Sequence, residues 1–139
     1  MRATARLGAM QARAQSLMTL TLAAYSPDGK TTNPGGYTVP KFASEGLTFG
    51  RVQATSGGDT TTRYIKIGDV ERPVIKGGLQ IPLTAKVPVA GEQRGTGWEY
   101  VVLAVGPLDD LALLGRRYLV VAVPAKSHAT MRRLTVVEV

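Results

Sequence analysis

Along the 139 residues the hydrophobic pattern changes period near residue 19. Over residues 1–18, at about 100° per residue, Leu7, Met10, Ala14, Leu17 and Met18 share one arc. Arg2, Arg6 and Arg13 share the neighbouring arc, so the spacing predicts an amphipathic N-terminal helix. Period two then takes over, and Thr19-Leu20-Thr21-Leu22-Ala23 reads as a strand. Residues 27–36, with Pro27-Asp28-Gly29-Lys30 and Asn33-Pro34-Gly35-Gly36, read as a long, turn-rich loop. Two extended segments follow at 37–42 and 46–54, divided by a turn at Ser44-Glu45-Gly46.

Residues 55–62, with Gly57, Gly58 and Asp59, read as a second long loop, and 63–67 alternates again. Leu79-Gln80-Ile81-Pro82-Leu83 alternates too, but Pro82 predicts an edge or bulged strand. Residues 98–105 form a β-branched and aromatic run that predicts a buried strand. Asp109 and Asp110 precede Leu111, and Gly115 follows Leu114, the signature of one capped helical turn. Residues 117–123 and 131–137 are two further strands around a loop at 124–130. The whole predicts a single, mainly β domain. A small β-barrel or sandwich of about seven strands occupies 19–139, behind an N-terminal helix over 1–18.

Composition agrees with that layout. Sixteen glycines and eight prolines suit many strands joined by turns better than a helical bundle. The longest apolar run, residues 118–125, is far below the about 20 residues of a spanning helix, so no membrane partner is expected. The N-terminal stretch leaves three readings open. Its stripe can pack on the protein's own body or on a neighbour. Its arginines and lack of acids over 1–27 also suit a transit peptide, and less well a secretory signal, because Thr19 and Thr21 break the apolar run.

Cysteine is absent and His128 is the single histidine. Disulfides, thiolate chemistry and histidine-rich metal sites are therefore excluded, and no cofactor is expected. No lysine sits in a phosphate-binding glycine loop, and Gly95-Thr96-Gly97 leads into a strand instead of a helix. Ser127-His128 lacks a legible orienting acid. The Asp109-Asp110 pair is better explained as cap and first-turn charge than as a metal site. The chain is not expected to be an enzyme. Arg116-Arg117 and Arg132-Arg133 count as basic clusters, with Tyr118 and Arg63-Tyr64 as possible stacking partners for nucleic acid.

The run from Leu108-Asp109-Asp110 through Leu114-Gly115-Arg116-Arg117-Tyr118-Leu119-Val120 joins an Asp-containing turn to a basic-aromatic strand. After a loop holding Ser127 and Thr130 come Arg132-Arg133-Leu134-Thr135-Val136 and Glu138. This resembles the head-closure, or head-to-tail stopper, proteins of tailed phages, especially actinobacterial siphophages. Those proteins also tend to open with an Arg/Ala helix and a Thr-rich strand, as residues 12–22 do here. The resemblance covers about two thirds of the chain. It departs at Gly97-Trp98-Glu99, where members often carry a Gly-Asp pair.

What the resemblance implies is a non-enzymatic ring component of the virion neck, made in the host cytoplasm. Its partners would be its own copies, in rings of six or twelve, the portal and adaptor, and the tail terminator or tail tube. Non-specific contact with packaged DNA would be possible. One long loop would close the channel: Ser56, Gly57, Gly58, Asp59 and Thr60 are the candidates, with residues 28–36 as the other option. Arg2, Arg6, Arg13, Arg116, Arg117, Arg132 and Arg133 are candidate assembly contacts. A tail-completion or tail-terminator protein is a neighbouring reading, and a small basic nucleic-acid-binding barrel is the reading from another class.

Charge sharpens this choice. The net charge is +7, yet residues 28–110 hold nine cations and nine acids. The excess lies wholly in the two ends, which suits docking better than a uniformly basic nucleic-acid surface.

Overall fold

The computed structural model describes residues 18–53, 63–124 and 131–139. The alternating stretches form eight strands. They are β1 (Leu20–Thr32), β2 (Thr38–Val52), β3 (Tyr64–Ile67), β4 (Val70–Pro73), β5 (Ile75–Ile81), β6 (Glu99–Ala104), β7 (Arg117–Ala122) and β8 (Arg132–Glu138). Six of them close into an antiparallel barrel in the order β1-β2-β5-β8-β7-β6, and β3-β4 make a separate hairpin. The fold is of the mainly β class expected from the sequence, and of the two expected forms, barrel or sandwich, it is the barrel. No α-helix occurs among the described residues, and Met18 is buried but not helical. The rest of the expected N-terminal helix lies outside them.

The alternation that predicts the strands also builds the core. Leu20, Leu22, Ala24, Leu79, Ile81, Trp98, Tyr100, Val102, Tyr118, Val120, Leu134 and Val136 point inward and pack together. A six-stranded barrel is narrow, and Gly50 makes room at one point. A Cβ there would come 2.4 Å from the Leu22 side chain and 3.0 Å from the Gln80 carbonyl. Outside the barrel, Leu119 and Val137 form a second apolar cluster with Ile67, partly covered by Ile65. The β3-β4 hairpin thus roofs the outer face of β7 and β8. Its Gly68-Asp69 turn places Gly68 at φ +62°, the left-handed geometry of tight hairpins.

Several sequence expectations need correction. The loop expected over 27–36 is mostly strand. β1 runs on to Thr32 through a bulge around Asp28 and Gly29, where Gly29 takes φ +77°. Only Asn33–Gly36 turn, held by Asn33 Oδ1 accepting from the Tyr37 amide at 2.9 Å. The Ser44-Glu45-Gly46 turn is likewise a bulge within one continuous β2, since Ala24 pairs with Gly46 and Tyr25 with Ser44. Turn residues signal a local kink, and pairing with a long partner strand converts that kink into a bulge. Pro82 does not demote its strand, because β5 ends at Ile81 and lies between β2 and β8. The bulge in β5 falls instead between Ile75 and Leu79, at Gly77-Gly78. The short β4 carried too little alternation to be expected.

Candidate assembly surfaces

Past residue 25, β1 and the facing part of β2 lose their other barrel neighbours, and among the described residues they pair only with each other. The result is a two-stranded arm whose strand from Ser26 to Thr32 projects about 20 Å at strand rise. A free ribbon of this kind is marginal in water, and this one is clamped at its root. Glu99 lies on the outer side of β6, yet its side chain is fully buried. It accepts a hydrogen bond from Arg117 Nε and bonds from Arg94 Nη2 at 3.1 Å and Nε at 3.4 Å. The Arg117 guanidinium stands over the Phe42 ring at 5.0 Å and the Tyr25 ring at 5.3 Å. Arg94 adds a contact over Phe42 at 5.7 Å. Two guanidiniums, one carboxylate and two arm-root aromatics therefore fix the arm to the barrel wall.

A second tie runs beside the clamp. Ser26 Oγ donates to Glu45 Oε1 at 2.7 Å, and Lys86 Nζ reaches Glu45 Oε2 at 3.1 Å. These two bonds, with Ser26 first, hold the Glu45 carboxyl below its usual range. The 91–97 loop props the arm from the side, since a Cβ on Gly95 would sit 3.0 Å from Pro40. That loop is itself stitched to the hairpin turn. Gln93 accepts from the Gly68 amide and donates to the Lys66 carbonyl.

The basic doublets do not act as clusters. Neighbours on a strand face opposite ways. On β8, Arg132 lies on the same side as Leu134 and Val136 near the Tyr100 ring, while Arg133 is exposed. Arg132 Nε has no hydrogen-bond partner among the described residues. Of the other doublet, Arg117 is spent on Glu99. Arg116 donates from Nε to the Ala112 carbonyl at 3.0 Å and lies 3.6 Å from Glu138. The Tyr118 hydroxyl, and then Glu138, hold the Arg116 guanidinium above even its usual range. Arg2, Arg6, Arg13 and the loop residues Ser56, Gly57, Gly58, Asp59 and Thr60 lie outside the described residues, as do Ser127 and His128.

The Asp109-Asp110 pair is structural, as its sequence position predicts. Asp109 Oδ2 accepts from Thr19 Oγ1 at 2.5 Å and from the Gly106 amide at 2.7 Å. Asp110 Oδ1 caps the short 3-10 turn Leu111–Leu113 through the Ala112 amide. No group of acids and histidines suited to a metal ion occurs among the described residues. No described helix is long and apolar enough to cross a membrane.

A family model matches residues 10–137. The chain belongs to DUF6093, a family of unknown function. No curated protein and no solved structure matches it. Almost the whole DUF6093 chain thus falls within the shared unit, arm, hairpin and barrel together.

The arm clamp and the exposed apolar face of β2 escape a reading of the DUF6093 sequence by period alone. One signal for the clamp was present. Glu99 stands between Trp98 and Tyr100 in a run that predicts a buried strand, and a buried carboxylate demands cationic partners. Which cations would come from elsewhere in the chain had no local mark.

Proposed function

We propose that this DUF6093 chain is a structural protein of the phage neck, a head-to-tail stopper subunit. In this reading its copies form a ring below the portal and adaptor, close the DNA channel, and offer a docking face to the tail. The carrying observation is the clamped arm. A ribbon fixed at its root by Glu99, Arg94 and Arg117 projects beyond the barrel, and among the described residues no further strand pairs with either of its edges, a form suited to reaching a neighbouring subunit. The resemblance of the 108–120 and 132–138 blocks to stopper proteins points the same way. The splitting of the arginine doublets favours assembly over the nucleic-acid alternative, because phosphate binding needs cations on one face.

The test is made on virions of the phage that encodes the chain. Quantitative mass spectrometry of purified particles is expected to find it in a ring's complement at the head–tail junction. A nonsense mutant is expected to yield DNA-filled heads that leak and fail to join tails. Intact virions that lack the chain overturn the reading.

A further inference from the structure

The β3-β4 hairpin covers the outer face of β7 and β8 with Ile65 and Ile67. Arg72 pairs with Ile65 in register, so it shares that covering face. Its Nε is buried without an acceptor, and its side chain makes no hydrogen bond or ion pair among the described residues. Buried donors in folded proteins nearly always have a partner, and a guanidinium cannot shed its charge instead. Beside Arg72 opens a cavity of about 360 Å³, walled by Ile67, Gly68, Gln93, Arg94 and Val139. No acidic side chain lines it.

We propose that this cavity is a carboxylate-binding site, with Arg72 as its main cation and Arg94 as a second guanidinium. The donors match that group. Arg72 keeps its whole planar fork, whose paired N–H groups fit the two oxygens of a carboxylate. Arg94 gives Nε and Nη2 to Glu99 at 3.4 Å and 3.1 Å, and its Nη1 is not part of that pair. Arg94 and Arg117 already share the Glu99 charge, whereas Arg72 has no counter-charge. One added negative charge therefore completes the site, which favours a carboxylate over a doubly charged phosphate.

The walls are set before a ligand arrives. Gln93 accepts from the Gly68 amide at 3.2 Å and donates to the Lys66 carbonyl at 2.5 Å, which ties its loop to the hairpin turn. The Val139 amide donates to the Arg117 carbonyl at 2.9 Å and fixes the opposite wall. Such preorganisation lowers the cost of binding. Ile67 and Val139 offer apolar contact to the methylenes that carry the carboxylate. An acidic side chain of another protein and a small soluble acid present the same group, and the test separates them. The inference does not rest on the neck reading.

The test is a heteronuclear NMR titration of the full chain, read at the Arg72 Nε–H and the Gly68 amide. The probes are capped glutamate for a protein side chain, succinate for a soluble acid, capped glutamine as the neutral isostere, and inorganic phosphate. All are compared at one ionic strength, because screening alone moves surface signals. At least one of the two acids is expected to shift both signals saturably, and the tighter of them names the source. Arg72→Leu is expected to weaken that binding about tenfold, read at the Gly68 amide. Arg51→Leu, at an exposed arginine on β2, is expected to leave it unchanged. No saturable shift, an equal response to capped glutamine, tighter binding of phosphate, or unchanged affinity in Arg72→Leu overturns the proposal. Arg72→Lys replaces Arg72→Leu if the latter loses cooperative unfolding. It keeps the charge but lacks the planar fork, so it too is expected to weaken binding.

Discussion

Glu99 carries more of this protein's organisation than its single charge suggests. Its side chain is fully buried between two arginines that are themselves partly exposed, at 28% for Arg117 and 43% for Arg94. Replacing Glu99 with Gln leaves both guanidiniums without a counter-charge, and such a break costs about 3 kcal/mol. Urea unfolding is expected to show that loss. Arg117→Met is expected to cost more than Arg94→Met, because Arg117 is less exposed and stacks on two rings. Gly97 is a second sensitive point. A Cβ there would meet the Gly91 amide nitrogen at 2.5 Å and the Val120 carbonyl at 2.9 Å, and neither backbone atom can yield easily. Gly97→Ala is therefore expected to destabilise by about 2 kcal/mol or more in the same assay.

The buried tyrosines give a pH signature. Burial is the main cause pushing both Tyr100 and Tyr118 above the ordinary tyrosine range. The folded state thus holds these protons more tightly than the unfolded one. Stability is fully present below the unfolded value of about 10 and falls as pH rises above it. Tyrosinate absorbance is expected to show Tyr100 and Tyr118 ionising only above the ordinary tyrosine range or together with unfolding.

At the scale of elements, the arm is the part whose removal separates stability from assembly. Pro27 and Phe42 face each other in register, so an Asn-Gly turn can replace residues 28–41 and close the hairpin early. Phe42 and Tyr25 stay in place for the clamp. The shortened protein is expected to unfold within a few degrees of the parent in a thermal scan. It is also expected to fail in virion assembly, and normal assembly would remove the arm from the proposed role. The arm was hard to foresee because its Pro, Asp, Gly and Asn residues carry turn chemistry. In the fold that chemistry produces one bulge and a four-residue tip, while pairing along two long strands does the rest. The Leu111–Leu113 turn went the other way. Its cap, apolar turn and terminal glycine are local, and all three were legible.

Over the whole molecule, closure decides which truncations survive. β1 pairs with both β2 and β6, so this first strand is the barrel's seam. Removing residues 1–17 is expected to keep one cooperative unfolding transition. Removing 1–25 exposes the edges of β2 and β6 and half-opens the core, and near-ultraviolet circular dichroism is expected to lose its native signal. The charge balance is also a whole-molecule property. Some cations and acids of the neutral central stretch find each other, as in Lys41–Asp28, Arg63–Glu92, Lys86–Glu45 and Arg94–Glu99.

The sequence alone determined the strand class, the alternation along most strands, the capped turn and the absence of thiol chemistry. Each of these depends on local period, local caps or composition, which neighbours along the chain suffice to set. Only the tertiary structure decided that the strands close into a barrel, that two of them leave it as an arm, and that the arginine doublets divide. Those outcomes depend on which distant strand supplies the next set of backbone partners. Glu99 shows the limit in one residue. Its sequence context announces a buried charge that must be paired, but only the fold brings Arg94 and Arg117 to it from either side.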